Sequence, residues 1–169
     1  DAHGDFRLRD TLRNEGAETE PLALLYHVNI GAPYVVPGTR IQTDAVRLRT
    51  RDDEAPVEWA RVVPVTGPPS ASAVVEHLGL ATPSALITSP GGREVRVSWS
   101  GDSLPRLFQW VWPEPGAGVV AIEPATAPLF GSERDAPHAG APLLDPGAEL
   151  EVELRIAVRE PGTAAPAIR

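Results

Sequence analysis

The sequence contains no cysteine and no methionine, and all of its 15 basic residues are arginine. The absence of cysteine excludes disulfide bonds and thiolate metal ligands. No run approaches the roughly 18 to 20 apolar residues that a membrane-spanning helix needs. Because methionine is missing, Asp1 is not a translation start, and we expect further residues before it in the intact protein.

Common catalytic and cofactor motifs are also missing. There is no Gly-x-Ser-x-Gly nucleophile elbow, and the glycines at 116 and 118 follow a proline, which is the wrong context for a phosphate-binding loop. The four histidines are scattered, with no two placed two or four residues apart. We therefore predict neither a metal site nor a cofactor.

The charge balance limits the possible partners. The formal net charge of −8 argues against a nucleic-acid backbone or an anionic membrane as a partner, and solubility is its simpler explanation. Hydrophobic content of 42% and charged content of 22% are typical of an ordinary globular domain. We predict one domain, no nucleic-acid partner, no membrane partner and a cytoplasmic location.

Alternation of apolar and polar residues is the dominant pattern. It has the two-residue period of strands with one buried face and one wet face. More continuously apolar runs predict strands that are covered on both faces. The alternating stretches are residues 6–9, 45–50, 95–100 and 150–158, and the apolar runs are residues 22–30, 104–112 and 119–122. Turn signals separate them, which predicts an all-β sandwich or barrel.

Three stretches do not fit this pattern. Residues 71–80 are the only plausible helical turn. Residues 124–142 are rich in proline, alanine and glycine, which predicts a long loop. Residues 160–169 are predicted to be a flexible tail.

Glu123 ends the apolar run of residues 119–122 and precedes a proline. A carboxylate at the end of a strand, partly desolvated by its neighbours, is suited to act as a general base because burial raises its pKa. The alternative is a glutamate that simply leaves the sheet for solvent. The residues alone leave both interpretations open.

His27 and Asn29 form a second candidate pair. They are two residues apart in the run of residues 22–30, so a strand places them on one face, about 6 to 7 Å apart. Tyr26, Val28 and Ile30 then take the opposite, core-directed face. The alternative is an edge strand whose polar face is exposed to water.

Five segments in a fixed order resemble the aldose 1-epimerase (galactose mutarotase-like) superfamily, and most closely its uncharacterised DUF4432 branch. They are RDTLRNEG at residues 9–16, LYHVNIGAP at 25–33, LPRLFQW at 104–110, AIEPAT at 121–126 and LLDPGAE at 143–149. The resemblance implies an antiparallel β-supersandwich that binds a monosaccharide in a cleft on one sheet. It also implies that residues 1–159 are the C-terminal part of that domain, with residues 160–169 as the tail.

The resemblance also assigns roles to residues. In the family, a glutamate takes the proton of the anomeric hydroxyl while a histidine protonates the ring oxygen. Glu123 matches the glutamate, whereas His27 lies one strand repeat, about 6 to 7 Å, from the family position. His27 is therefore either the acid or a group that hydrogen-bonds a sugar hydroxyl. Gln109 resembles a sugar-contacting glutamine, with a register uncertain by one residue.

Further contacts follow from the same resemblance. Asn29 shares the face of His27, and Trp110 either stacks on the sugar ring or belongs to the core. His77 is a further candidate at the cleft. A sandwich cut in half exposes strand edges, so we also predict a possible homodimer through these edges.

Two functions remain open at this point. The first is interconversion of sugar anomers by the full-length protein, with Glu123 and His27 on either side of the sugar ring and little activity in this chain alone. The second is a carbohydrate-binding or sensing module without catalysis, on the same fold. The separation of the Glu123 and His27 side chains discriminates between them. An immunoglobulin-type interaction domain is a weaker third interpretation because no Cys…Trp…Cys framework is present.

Overall fold

The computed structural model describes residues 3–51, 73–112 and 118–162, and these ranges are mostly antiparallel β-strand. The strands are β1 (His3–Arg13), β2 (Glu20–Pro21), β3 (Val28–Ile30), β4 (Arg40–Gln42), β5 (Arg47–Thr50), β6 (Ala73–Leu78), β7 (Ser84–Thr88), β8 (Glu94–Trp99), β9 (Arg106–Trp112), β10 (Val119–Ala125), β11 (Leu143–Leu144) and β12 (Glu149–Arg159). Two 3₁₀ turns, Ser132–Asp135 and Pro137–Gly140, follow β10. Within the described ranges, no helix has the length and apolar character needed to cross a membrane.

Two five-stranded antiparallel sheets make up the fold. The first sheet has the order β1-β12-β8-β7-β4, and the second has the order β3-β10-β9-β6-β5. The short strands β2 and β11 pair separately. This arrangement confirms the predicted all-β sandwich.

One hydrophobic core joins the two sheets. Both contribute alternate residues to it, as expected when each sheet buries one face against the other. Ile41, Ala85, Ile87, Val95, Val97, Trp99, Val152 and Leu154 come from the first sheet, and Ile30, Leu107, Val120 and Ile122 come from the second. The indole of Trp99 donates a 3.0 Å hydrogen bond to the carbonyl of Leu104, so its polar atom is satisfied inside the core.

The predicted strand patterns agree with the observed burial in most places. In β8, Val95 and Val97 are buried while Arg96 between them is exposed. The predicted double coverage holds for the central strands β9 and β10, where consecutive residues are buried. These two strands position the candidate site described below.

The prediction of double coverage is wrong for residues 22–30. Within the described part of the chain, β3 lies at the edge of the second sheet, and His27 and Asn29 on its outer side are exposed. The open alternative, an edge strand with one wet face, is the arrangement found. Tyr26 and Val28 pack against the core and Ile30 belongs to it, as predicted.

The helical turn predicted for residues 71–80 is also wrong where the structure describes it. Residues 73–78 form β6, which pairs with β5 on one side and β9 on the other. Pairing on both sides, together with the β-branched Val74 and Val75, outweighs a weak local helical preference. Residues 71 and 72 lie outside the described ranges.

The loop predicted for residues 124–142 is more ordered than expected. β10 continues to Ala125, residues 126–128 and Phe130 are buried, and the two 3₁₀ turns follow. In the predicted tail, Glu160 accepts hydrogen bonds from Tyr34 (2.9 Å) and Arg93 (2.9 Å). Residues 163–169 lie outside the described ranges, so their flexibility stays a prediction.

Removing a side chain from the shared core should destabilise the whole sandwich. Ile87→Ala creates a cavity beneath a fully buried position, and we expect it to lower the free energy of unfolding by about 2–5 kcal/mol in urea denaturation. Val46→Ala is the matched control because Val46 is 82% exposed, and its change should stay within about 0.5 kcal/mol. Equal effects of the two variants would contradict the assigned core.

Candidate functional site

The candidate site lies on the outer face of the second sheet, which is the face turned away from the shared core. Cross-strand pairing places Asn29 opposite Ala121, Ala121 opposite Trp110, and Glu123 opposite Phe108, and directly opposed residues share one face of a sheet. Glu76 pairs with Phe108 and lies on the same face. The outer face is therefore formed by His27, Asn29, Glu76, Phe108, Trp110, Ala121, Glu123 and Ala125.

Glu123 is buried although it carries a carboxylate. Its side chain is only 4% exposed. It lies two residues inside β10, and its neighbours Phe108 and Ala125 form an apolar cluster with Phe130. A carboxylate in such surroundings loses its hydrogen bonds to water, so it needs a hydrogen-bonding partner within the protein.

The partner of Glu123 is His27. His27 Nε2 donates to Glu123 Oε1 over 2.8 Å, and the His27 side chain is 45% exposed while that of Glu123 is covered. Burial raises the pKa of Glu123 above the ordinary carboxyl value of 4.5, and the nearby His27 offsets part of that rise. The pair therefore combines a proton-binding carboxylate with a histidine that reaches solvent.

Asn29 and Trp110 lie around this pair. Asn29 is exposed on the edge strand β3, and His27 immediately precedes that strand. The rings of His27 and Trp110 have centroids 5.7 Å apart and are tilted by 59°, and Trp110 stacks on Trp112 at 5.8 Å. The structure thus brings together four of the predicted site residues, namely Glu123, His27, Asn29 and Trp110.

Gln109 and His77 lie on the opposite face of the sheet, toward the sandwich interior. Gln109 pairs with the core residue Ile122, and His77 pairs with Leu107. A shift of one residue along a strand reverses the face, so Gln109 and Trp110 cannot share a side of β9. The structure does not bring Gln109 and His77 to the outer face with Glu123.

The interior histidine has polar partners of its own. His77 Nε2 donates to Gln109 Oε1 over 3.1 Å, and Thr43 Oγ1 donates to His77 Nδ1 over 3.0 Å. Burial lowers the pKa of His77 to about 4, which the hydrogen bond to Gln109 partly offsets. His77 is therefore neutral near pH 7, which fits a buried group that both donates and accepts.

Four charged residues form a ring of ion pairs on the part of the outer face away from His27, and they cover that part of the sheet. Arg106 donates to the buried Glu76 at 2.7 Å and to Glu133 at 2.6 Å. Arg49 also binds both carboxylates, over 2.9 Å from its Nε to Glu76 and 2.9 Å from its terminal nitrogen to Glu133. The two arginines hold the pKa of Glu133 low, at about 2. Glu133 therefore stays ionised and tethered over the ordinary pH range.

This ring fastens the strap, by which we mean residues 126–140, over the sheet. Phe130 of the strap packs edge-on against Phe108, with ring centroids 5.7 Å apart. Glu76, Arg49 and Glu133 were not predicted from the sequence, because their arrangement depends on β6 being a strand. A glutamate within the apolar stretch of residues 73–78 was the one signal that pointed to it.

The side-chain separation that discriminates between the two functions is short. At 2.8 Å, Glu123 and His27 touch each other, and a sugar ring does not fit between them. In this conformation they form one joint hydrogen-bonding unit rather than an acid and a base on either side of a ring.

Among the described residues, no cluster of three or more His, Cys, Asp or Glu is arranged to hold a metal ion.

Sequence comparison identifies the family. No curated protein matches the chain. The family profile described as a domain of unknown function, DUF4432, matches residues 2–158. The chain belongs to the DUF4432 family. This confirms the predicted resemblance to that branch.

Solved structures share the fold of this DUF4432 chain. A Klebsiella pneumoniae subsp. pneumoniae MGH 78578 protein named "putative aldose 1-epimerase" has a TM-score of 0.75 at 20% identity, over 92% of this chain and 43% of that chain. The Slr1438 protein of Synechocystis sp. PCC 6803 has a TM-score of 0.69 at 14% identity, over 92% and 50%. A galactose mutarotase-like protein from Lactobacillus casei ATCC 334 has a TM-score of 0.54 at 18% identity, over 90% and 58%.

These likenesses establish the galactose mutarotase-like β-sandwich, and at such identities they show the fold alone. The DUF4432 chain spans only 43% to 58% of the length of these three structures. The activity of the whole protein, its substrate and its partners are therefore matters for proposal.

The charged ring should be important for stability. Glu76→Gln removes a buried charge between two arginines, and breaking a buried ion pair in this way costs about 3–5 kcal/mol in free energy of unfolding. Glu151→Gln, the same change at an exposed position of β12, is the control and should be nearly neutral. A Glu76→Gln protein as stable as the control in urea denaturation would show that the ring contributes little.

The raised pKa of Glu123 determines whether the free energy of unfolding rises or falls with pH. The folded state holds the Glu123 proton more tightly than the unfolded chain does, so its stabilising contribution is fully present below pH 4.5 and is lost as the pH rises through the raised value. We expect the free energy of unfolding of wild type minus that of Glu123→Gln to fall as the pH rises above 4.5 and through the raised pKa of Glu123. A difference that grows with pH would mean that His27 stabilises the carboxylate more than burial destabilises it.

Proposed function

We propose that the outer face around Glu123 binds a monosaccharide and that Glu123 accepts the proton of its anomeric hydroxyl. The observation that carries this proposal is the buried carboxylate itself, held at 2.8 Å by a half-exposed histidine on a galactose mutarotase-like fold. A burial-raised pKa brings a carboxylate toward the range in which it both takes up and releases a proton. The exposed polar groups of His27 and Asn29 offer hydrogen bonds to sugar hydroxyls.

The reaction that this site suits is the interconversion of sugar anomers. The anomeric hydroxyl gives its proton to Glu123 as the bond between the anomeric carbon and the ring oxygen breaks, and an acid protonates the ring oxygen. The open aldehyde then rotates about its first carbon–carbon bond, and the same steps in reverse close the ring. Protons and bonds balance, and the enzyme returns to its starting state.

His27 has two possible parts in this scheme. Its side chain is 45% exposed, so it has room to turn away from Glu123 when a hydroxyl takes its place on the carboxylate. In the turned position it faces the sugar and serves as the acid. If it stays on Glu123, it helps to orient the carboxylate, and the acid comes from outside the described residues.

The second candidate function is sugar binding without catalysis. The direct contact between His27 and Glu123 favours it, because both side chains are already satisfied by each other. In this case the pair offers hydrogen bonds to sugar hydroxyls as one unit and no proton moves. The fold is compatible with both functions.

The functional test measures anomer exchange on aldohexoses by NMR or polarimetry. Because the chain spans about half the length of its structural relatives, the assay uses the whole protein in which it occurs, with the 169-residue chain alone expected to show little activity. Loss of the base in Glu123→Gln should lower the rate above background by roughly 10²–10⁴-fold.

Glu151→Gln, far from the outer face, is the matched control and should retain full activity. Exchange that is unaffected by Glu123→Gln would exclude Glu123 as the base. No exchange in wild type, together with sugar-dependent chemical shifts at His27 and Trp110, would identify the non-catalytic module instead.

A further inference from the structure

The contact between His27 and Trp110 spans three strands. Ala121 on β10 pairs with Asn29 on β3 and with Trp110 on β9, so β3 and β9 flank β10 on either side. Two strand spacings amount to about 9.5 Å, and His27 lies two residues along the chain from Asn29, so its backbone is still farther from that of Trp110. The ring centroids of His27 and Trp110 are nevertheless only 5.7 Å apart. The two side chains therefore lean toward each other across β10.

The small side chain of Ala121 makes this approach possible. Ala121 is fully buried although it lies on the outer face, next to an exposed edge strand. A methyl group leaves room above β10, and a larger residue at this position would fill the space in which the two rings meet. Ala121 is also two residues from Glu123 on the same strand, so the meeting point lies directly beside the carboxylate.

His27 needs support from a neighbour to keep its position. It precedes β3, an edge strand of only three residues, and its side chain is 45% exposed. An exposed side chain beside a short edge strand can adopt rotamers that turn its ring into solvent, and holding it in a single rotamer costs conformational entropy. Contact with a large aromatic ring limits that freedom.

Trp110 is well placed to give this support. Two protein rings already contact its indole, His27 across the sheet and Trp112 along β9, the latter at 5.8 Å and 29°. An indole engaged in this way has less free surface for stacking on a sugar. The contact with Trp112 in turn limits the movement of Trp110.

We propose that Trp110 and Ala121 are positioning residues that hold the His27 imidazole with Nε2 on Glu123. Trp110 supplies the ring that supports His27, and Ala121 supplies the space across which the ring reaches. The positioning of His27 by Trp110 and Ala121 is inferred from the geometry of these side chains. Only the effect of this positioning on catalysis rests on the proposed function. Trp110 acts through His27 and not on the sugar.

The first test is ¹⁵N NMR of the histidine rings in the whole protein, which reports the tautomer independently of any activity. Because Nε2 faces a carboxylate, wild-type His27 should carry a proton on Nε2 at every pH at which Glu123 is ionised. In Trp110→Ala we expect this preference to weaken, with the signal moving toward that of a free histidine side chain, which is a mixture of both tautomers. Trp110→Phe keeps a ring and should restore much of the wild-type signal.

Two variants at Ala121 test the role of the space. Ala121→Val fills it while leaving Trp110 intact, and should change the His27 signal in the same direction as Trp110→Ala. Ala121→Gly keeps the space open and should leave the signal unchanged. Phe6→Ala removes an exposed aromatic side chain on the first sheet and controls for loss of a ring elsewhere. Amide spectra establish whether each variant is folded. If Ala121→Val does not fold, the comparison of Trp110→Ala with Trp110→Phe tests the positioning of His27 by itself.

Kinetics separates positioning from direct sugar contact. If the protein exchanges anomers, Trp110→Ala should lower kcat by roughly 10- to 100-fold, as a misplaced catalytic group does, with a smaller effect on KM. An increase confined to KM with an unchanged His27 signal would make Trp110 a sugar contact and overturn the proposal. An unchanged signal in folded Trp110→Ala overturns it as well. If no exchange occurs at all, the proposed function fails while the NMR result still decides the positioning role.

Discussion

The arrangement of the outer face depends on one buried carboxylate and the histidine that satisfies it. Glu123 lies among apolar neighbours, where an unpartnered charge would be costly, and the 2.8 Å hydrogen bond from His27 compensates for part of the lost hydration. The pairing also ties the edge strand β3 to the central strand β10. Burial raises the pKa of Glu123, so this position does not favour folding at neutral pH, and the proposed function assigns the buried carboxylate a use in chemistry or binding.

The two halves of the outer face have different physical characters. On one half, the ring of Glu76, Arg49, Arg106 and Glu133 neutralises itself and tethers the strap, so that this half is closed. On the other half, Glu123, His27, Asn29 and Trp110 combine a covered carboxylate with exposed polar groups. The proposed sugar would therefore find its hydrogen-bonding groups on the second half, at the edge of the sheet. The apolar cluster around Phe130 and the pair of Glu123 and His27 can therefore lie side by side on one face.

The sequence predicted those features that depend on strand periodicity. Alternation was sufficient for β8 and β12, and the two-residue spacing of His27 and Asn29 correctly placed them on one face. Features that depend on pairing between distant strands were not accessible, since the contact of His27 with Glu123 joins residues almost a hundred positions apart. For Gln109, an uncertainty of one residue in register was enough to reverse the face. β6 was missed because a weak local pattern gives way to pairing on both sides.

The most direct test of the central claim is a crystal structure of the whole protein soaked with an aldohexose. We predict a sugar on the outer face with its anomeric hydroxyl within hydrogen-bonding distance of a Glu123 carboxylate oxygen. We also predict that His27 either remains on that carboxylate or has turned toward the sugar. A sugar bound on another surface, with Glu123 and His27 still in contact and no hydroxyl near them, would contradict the account.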